Sequence, residues 1–344
     1  MLNAKRGSAR RHAPSSVLAS VTLGLEELID AQGGRSTEVL SRAGLGSRLY
    51  EQPNRTISLK HYCNSIHEAA KSTGNEHFGL WFGEQFVPEG LGLFGFHAIT
   101  AADLRTAIDG MLKHFPVFQR NSELRLTVRD GICRLEYRLL DGDIVDRRQD
   151  AELTVGMLNN VLRRGLGENW SPLEVHFQHP ALVDGSQHRR AFNCNVRFQQ
   201  PSNLILFRES CLDRPMPDAN PMLNNITRGS LMELAGKVEQ DQSTAQRAKS
   251  EIIELLPNGE ASLERVARRL HLSQRSLQRQ LASESYSFRS LLDEVREELA
   301  VCYLNYERLS VSEVAYRLGY SEVSAFTRAF VRWKNLSPSD WRLQ

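Results

Sequence analysis

Apolar residues recur with helical spacing over the last quarter of the chain, and there the same pattern of apolar and polar positions occurs twice. The first copy covers residues 262–281 and the second covers residues 310–330. The apolar positions correspond at a constant offset through the turn, and the second copy gains one residue in its second helical segment. The matched pairs are Leu263 with Val311, Val266 with Val314, Ala267 with Ala315, Leu270 with Leu318, Leu277 with Phe326, and Leu281 with Phe330. Two copies are too few for a solenoid, so the pattern predicts two equivalent helical modules that face a repeating partner.

Each copy is typical of a helix-turn-helix unit. A serine, whose hydroxyl can accept a backbone N–H, stands at each expected helix N-cap: Ser262, Ser273, Ser310 and Ser321. Ser310 together with Glu313 predicts a capping box. His271 and Gly319 stand in the two turns, where a positive φ is expected. An ordinary helical bundle is the alternative, although a bundle does not require two copies in register.

The second helix of each copy exposes side chains that suit the edges of DNA bases. Arginine presents two donors to guanine, glutamine pairs with adenine, and a methyl group can contact thymine. Hydroxyls at helix N-termini are candidate phosphate contacts. The candidate DNA-binding residues are Ser273, Gln274, Arg275, Gln278 and Arg279 in the first copy, and Ser321, Val323, Ser324, Thr327, Arg328 and Arg332 in the second. A solvated helix face is the alternative for each residue, and for Arg332 the two interpretations have equal weight.

The segment between the two copies predicts a single long helix. Residues 287–305 have apolar positions at helical spacing over about five turns. A rigid helix of this kind would hold the two modules at a fixed separation. If both recognition helices enter one face of B-DNA, that separation is about 34 Å, one turn of the duplex. One chain would then bind two successive major-groove segments of an asymmetric site.

The C-terminal region resembles the DNA-binding domain of the AraC/XylS family of bacterial transcription regulators. The matching motifs are ARRLHLSQRSLQR at residues 267–279, VSEVAYRLGYSEVSAFTRAFVRW at residues 311–333 and SPSDWR at residues 337–342. The resemblance implies that the chain regulates transcription, with double-stranded promoter DNA and RNA polymerase as partners. Ser285 and Asn335 stand where relatives usually carry the glycine that ends each recognition helix, and asparagine adopts the left-handed conformation more readily than serine.

The period of the apolar positions differs in the N-terminal region, where it predicts an α+β fold with a largely antiparallel sheet. The predicted helices cover residues 15–32, 35–40, 59–71, 102–118 and 146–166, and Ser58 is the expected cap of the third. The predicted strands cover residues 91–99, 124–128, 132–139, 173–177, 196–198 and 204–207. Asp130-Gly131 predicts one hairpin turn, and residues 201–203 predict the turn of a second hairpin between the last two strands.

Four runs of this region resemble the arabinose-binding-type N-terminal domain of the OruR-like branch of AraC regulators. They lie at residues 172–180, 191–198, 203–207 and 212–217. The resemblance implies a domain that senses a small-molecule effector and dimerises, without establishing arabinose as the effector. The complete fold class is then an α+β sensor domain followed by an all-α C-terminal domain with two helix-turn-helix motifs. Four aromatic residues could line an apolar effector pocket or could belong to the core: Phe94, Phe96, Tyr137 and Phe177.

The length of 344 residues predicts two domains. The predicted division is a disordered basic tail at residues 1–14, an effector-sensing and dimerisation domain at 15–220, a helical linker at 221–246 with a flexible joint at 241–246, and a DNA-binding domain at 247–344. The formal net charge is only +2, so bulk electrostatics do not indicate a nucleic-acid binder. The local distribution of charge does indicate a nucleic-acid binder, because acidic residues are concentrated on the connecting helix while the recognition segments carry arginine.

Five scattered cysteines without a CxxC pair indicate neither a zinc site nor a disulfide framework, and they fit a reducing cytosol. The basic tail has no apolar core behind it, and no apolar run approaches membrane-spanning length. We therefore expect a cytoplasmic protein with no membrane partner.

Two other patterns do not support an additional site. Residues 90–95 match the dinucleotide fingerprint GxGxxG, but Pro88 and Glu89 interrupt the strand that should precede it. His176 and His179 fall on opposite faces of a predicted strand, which makes them poor joint metal ligands. No Ser/His/Asp or Cys/His set has the context of a nucleophile. We expect no catalytic residues, no metal and no cofactor.

Two alternatives come from other functional classes. One is a DNA-binding tail fused to an enzyme such as an alkyl-transfer repair protein, which needs a reactive cysteine in a metal-like cluster. The spacing of Cys63, Cys133, Cys194 and Cys211 does not match such a cluster. The other is an effector-free structural protein, which sequence-independent DNA binding would favour.

Overall fold

A computed structural model describes residues 15–141, 144, 146–182, 185–241, 243–256, 259–306 and 309–342. The predicted basic tail at residues 1–14 lies outside this range. The described residues form two separate clusters of buried apolar side chains. The first runs from Val17 to Met216 and the second from Ala245 to Phe330.

The N-terminal part contains short strands and eight helices among its described residues. The strands are β1 (Ser16–Leu18), β2 (Thr56–Ser58), β3 (Ser122–Arg129), β4 (Ile132–Leu139), β5 (Glu174–His176), β6 (Asn195–Arg197) and β7 (Asn203–Arg208). The helices are α1 (Leu25–Ala31), α2 (Ser36–Ala43), α3 (Leu59–Thr73), α4 (Phe78–Gln85), α5 (Leu93–Ile99), α6 (Leu104–Phe118), α7 (Arg148–Leu166) and α8 (Ser186–Phe192). The predicted α+β class is confirmed.

The main sheet has the strand order β3-β4-β7-β5-β6, and all of its pairings are antiparallel except the one between β5 and β6. The predicted hairpin between β3 and β4 is confirmed, with Val128 opposite Cys133 beside the turn. Every second residue of β4 is buried, namely Cys133, Leu135, Tyr137 and Leu139. These side chains point to one face of the sheet, where α7 packs against β4 and β7.

Two predictions about the N-terminal part assign the wrong type of secondary structure. The chain begins with β1 and a short 3-10 turn rather than with a helix from residue 15, so that the first α-helix starts at Leu25. Residues 91–99 contain helix α5 rather than a strand. This apolar run has no clear period, and periodicity cannot separate a buried strand from a buried helix. Close packing explains its glycines, because a Cβ added at Gly95 would lie 1.8 Å from the carbonyl oxygen of Pro88.

The predicted second hairpin is also wrong. Strands β6 and β7 follow each other in sequence but do not pair, because β7 lies between β4 and β5 while β6 pairs in parallel with β5. Leu204, Ile205 and Phe207 are buried, as a central strand requires. In β6 only Val196 is buried, which suits an edge position.

The C-terminal part is all helical, as predicted. Its helices are α9 (Pro221–Asp241), α10 (Thr244–Leu255), α11 (Leu263–Arg269), α12 (Gln274–Ser283), α13 (Phe288–Tyr306), α14 (Val311–Arg317), α15 (Val323–Lys334) and α16 (Pro338–Arg342). The predicted joint at residues 241–246 is wrong over its second half, because α10 already begins at Thr244. The carboxylate of Glu284 accepts the backbone N–H groups of Thr244 (2.7 Å) and Ala245 (2.8 Å), which satisfies free donors at the start of α10.

Candidate nucleic-acid interface

Helices α11 and α12 form the first helix-turn-helix module. Both predicted caps are confirmed, since Ser262 accepts the N–H of Arg265 at 3.3 Å and Ser273 accepts the N–H of Ser276 at 3.1 Å. His271 has a φ of +56° in the turn, as its position predicted. Leu277 and Leu281 are fully buried, while the other face of α12 is exposed. That exposed face carries Gln274, Arg275, Gln278 and Arg279, as predicted.

Helices α14 and α15 form the second module. The predicted capping box is present, because the Ser310 hydroxyl accepts the N–H of Glu313 at 3.2 Å and the Glu313 carboxylate accepts the N–H of Ser310 at 2.7 Å. The predicted cap at Ser321 is wrong. Helix α15 starts at Val323, and its N-cap is Glu322, which makes no side-chain capping bond.

The shifted cap shows where the second copy gains its extra residue. The residue lies in the turn before α15 and not inside the helix, so Glu322 occupies the position that Ser273 has in the first module. From there the two recognition helices run in register. The exposed or half-exposed positions 274, 275, 278 and 279 of α12 correspond to 323, 324, 327 and 328 of α15.

The side chains of α15 differ in their exposure and in the contacts they make. Arg328 and Ser324 are exposed, whereas Val323 also packs against the second apolar cluster. The Thr327 hydroxyl donates to the carbonyl oxygen of Val323 at 3.0 Å, which leaves its methyl group as the outward contact. Ser321, which is exposed, lies in the turn just before the helix.

Arg332 is bound to the connecting helix α13. Its guanidinium lies 2.9 Å from the carboxylate of Asp293, and Lys334 makes a similar pair with Glu297 at 2.9 Å. Acidic side chains of α13 are thus paired with cations of α15. Among the described residues no ion pair is found for Arg275, Arg279 or Arg328, so these three present their full charge to a partner.

Helix α13 holds the second module through a residue that the sequence pattern did not single out. Arg296 donates from Nε to the carbonyl oxygen of Leu318 at 2.9 Å, and its guanidinium lies 4.4 Å from the ring centroid of Tyr320. Gly319, with a φ of +71°, makes the turn at this point. With 19 residues, α13 is about 28 Å long. The predicted connecting helix is confirmed. It holds the turn before α15 through a hydrogen bond and a cation–π contact, and α15 itself through ion pairs.

The chain reverses after each recognition helix through a left-handed residue. Ser285 has a φ of +66° and Asn335 a φ of +59°. Both positions have the conformation that glycine favours, so the expected departure from the family pattern changes the residue and leaves the backbone turn intact.

The four aromatic residues considered for an effector pocket do not lie together on the sheet. Phe94 and Phe96 belong to helix α5, and Phe94 is buried in a stack with Phe118 at 4.5 Å. Tyr137 and Phe177 are buried in the same core. Phe96 is 38% exposed.

Among the described residues, no helix has both the length and the apolar character needed to span a bilayer.

Comparison with known proteins identifies both parts of the chain. Residues 33–216, more than half of the chain, match the family described as the arabinose-binding domain of AraC transcription regulators, and residues 266–344 match a helix-turn-helix domain. The ornithine utilization regulator of Pseudomonas aeruginosa is 28% identical over 92% of this chain and 94% of its own length. The HTH-type transcriptional regulator VirS of Mycobacterium tuberculosis is 26% identical over 95% of this chain and 96% of its own length. The chain belongs to the AraC family of DNA-binding transcription regulators.

Proposed function

We propose that α12 and α15 enter two successive segments of the major groove on one face of promoter DNA. The observation that carries this proposal is the matched register of the two exposed faces, each ending on an arginine, Arg279 or Arg328, for which the described part of the chain shows no ion pair. The rigid attachment of α15 to α13 supports a fixed spacing of about 34 Å, one turn of B-DNA. The site is then asymmetric, because the two helices carry different side chains.

Within this site we assign base contacts to the exposed arginines and glutamines, and phosphate contacts to the residues at the helix starts. The bases of the first segment are contacted by Gln274, Arg275, Gln278 and Arg279. The bases of the second segment are contacted by Val323, Ser324, Thr327 and Arg328. Ser273 and Ser321 contact phosphates. Arg332 contributes to positioning through Asp293, and a phosphate contact requires that ion pair to open.

The proposed domain division follows the sequence prediction, with sensing and dimerisation at residues 15–220, a linker at 221–246 and DNA binding at 247–344. The exposed side of helix α9 supports the proposal that the chain contacts a second subunit. The helix packs on the sensor through buried Thr227 and Leu231, and Asn224 donates to the carbonyl oxygen of His97 at 2.8 Å. On its outer side Met222 is 75% exposed and Ile226 is 53% exposed, which suits an apolar contact between two chains.

We further propose that a small molecule bound in the N-terminal domain changes how the DNA-binding domains are held, and so changes promoter occupancy or contact with RNA polymerase. Membership of the AraC family supports this coupling. The name of the relative from Pseudomonas aeruginosa refers to ornithine utilization, which is a property of that protein.

We infer that the chain acts as a regulator, and the burial of three of its thiols argues against an alkyl-transfer enzyme fused to a DNA-binding tail. Such an enzyme needs a thiolate that forms readily near neutral pH. Burial raises the pKa of Cys133 to about 11 and that of Cys194 to about 11. Burial also holds the pKa of Cys63 well above its usual value. Burial therefore disfavours the reactive thiolate at these three cysteines.

A competition experiment at controlled salt tests the proposal. A duplex selected by the full-length protein from a random pool is labelled, and binding is followed by fluorescence anisotropy against unlabelled random duplex. We expect the selected site to bind at least about 1,000-fold more tightly than random DNA. Equal affinity for both duplexes would contradict sequence-specific recognition and favour the structural DNA-binding alternative.

A further inference from the structure

Three potential metal ligands meet in the interior of the N-terminal domain, far from the DNA-binding helices in sequence. Glu152 lies on α7, His179 follows β5, and His188 lies on α8. One ligand atom from each lies within 4.8 Å of the other two. Glu152 Oε1 is 2.8 Å from His188 Nε2 and 3.5 Å from His179 Nε2. Glu152 and His188 are fully buried, and the His179 side chain is 11% exposed.

The hydrogen bonds of this cluster are incomplete within the described part of the chain. Glu152 Oε2, His179 Nε2 and His188 Nδ1 are buried without a hydrogen-bond partner. His179 Nδ1 lies 2.9 Å from the carbonyl oxygen of Pro180, which can accept its N–H, and His179 Nε2 faces the Glu152 carboxylate at 3.5 Å. A cation bound between them satisfies the buried His179 Nε2 and the carboxylate charge.

The surroundings suit a metal centre. A backbone carbonyl that fixes the second ring nitrogen is the usual support of a metal-binding histidine, and Pro180 supplies it for His179. The rings of Phe177 and Phe198 pack against both histidines, with centroid distances between 4.9 and 5.7 Å.

We propose that Glu152 Oε1, His179 Nε2 and His188 Nε2 bind a divalent transition-metal ion of the zinc class in the N-terminal domain. In a tetrahedral zinc site, bonds of about 2.0–2.2 Å place the ligand atoms roughly 3.3 Å apart, which is close to the 2.8 and 3.5 Å from Glu152 Oε1 to the two histidine nitrogens. Water on the exposed side of His179 completes the coordination. The ion joins α7, α8 and the segment after β5. Sequence spacing did not reveal the site because its ligands come from three different elements.

Two neighbouring side chains affect the affinity. Arg148 lies 3.5 Å from Glu152 Oε1, so its charge competes with the ion for the carboxylate. It also donates to the carbonyl oxygen of Glu76 at 2.8 Å, which offers it an alternative partner when the ion is bound. The ring of His77 lies 5.4 Å from that of His188, outside the three-ligand set. Substituting Arg148 should therefore strengthen metal binding without removing a ligand.

Equilibrium dialysis of the full-length, tag-free protein against Zn²⁺, after removal of bound metal with a chelator, tests the site. We expect about one ion per chain for the natural protein. Glu152→Gln and His179→Gln should lower the affinity at least tenfold, and Co²⁺ should give visible d–d absorption in the natural protein that both variants lose. His176→Gln is the matched control, because His176 forms a comparable pair with Glu174 at 3.0 Å outside the cluster.

No saturable Zn²⁺ binding by the natural protein would overturn the proposal, and so would affinity that survives both ligand variants. If circular dichroism shows that the ligand variants are unfolded, the Arg148→Gln variant tests the site instead, since it keeps all three ligands. Tighter Zn²⁺ binding by Arg148→Gln supports the site, and unchanged or weaker binding places the ion elsewhere.

Discussion

Replacing Arg279 or Arg328 by alanine should weaken binding to the selected DNA site by roughly 5- to 150-fold each, as expected for the loss of a bidentate base contact worth about 1–3 kcal/mol. Both side chains are exposed at equivalent positions of α12 and α15. The loss should be concentrated on the selected sequence, since a base contact contributes little to binding of random DNA. The salt-controlled anisotropy competition measures both affinities.

Arg268→Ala is the matched control for these two variants. Arg268 is an exposed arginine of the same domain, but it lies on α11 and pairs with Glu264 at 2.6 Å. We expect its substitution to change the specific affinity by less than about twofold, since exposed ion pairs contribute little. If the Arg279 and Arg328 variants also stay within twofold, the assigned contacts are wrong. A uniform loss on all sequences, with a change of about one in the salt slope, would reassign the arginine to a phosphate contact.

Truncation of the second module's core should be the most destabilising change in the DNA-binding domain. Phe330 is fully buried, and its ring lies 5.8 Å from Phe326, 6.4 Å from Trp333 and 5.9 Å from Trp341. Phe330→Ala removes these contacts and leaves a cavity, which costs about 3–5 kcal/mol. Urea unfolding followed by circular dichroism should show the loss as a lower midpoint.

The neighbouring residue supplies the control for this prediction. Val331 is 41% exposed on the same helix, and Val331→Ala should change the free energy of unfolding by less than about 0.5 kcal/mol. Because Arg328 depends on α15 for its position, Phe330→Ala should also abolish specific DNA binding. A Phe330→Ala protein that unfolds at the natural midpoint would show that the second module does not depend on this core.

Local signals in the sequence predicted the exposed faces of α12 and α15 and three of the four helix caps. Ser262, Ser273 and Ser310 were identified as caps because a cap is a short-range feature. Ser321 was misassigned because the pattern shows that one residue is gained without showing whether it lies in the turn or in the helix. The faces of α12 and α15 could still be assigned, since Leu277 and Phe326 mark the buried side of each.

Features that depend on long-range packing could not be predicted. Helix α5 was taken as a strand because an apolar run lacks the period that identifies a half-buried element. The positions of β6 and β7 in the sheet depend on which of the two is a central strand. The order of the strands along the sequence does not determine this. Arg296 and the cluster of Glu152, His179 and His188 are brought to their partners only by the fold.

Hydroxyl-radical footprinting of the full-length protein on its selected duplex tests most directly whether one chain reads two neighbouring turns of DNA. We predict two protected segments on the same face, with centres about 10–10.5 base pairs apart. Arg279→Ala should weaken protection of one segment and Arg328→Ala protection of the other. A single protected segment, or two segments half a turn apart on opposite faces of the duplex, would contradict the paired arrangement of α12 and α15.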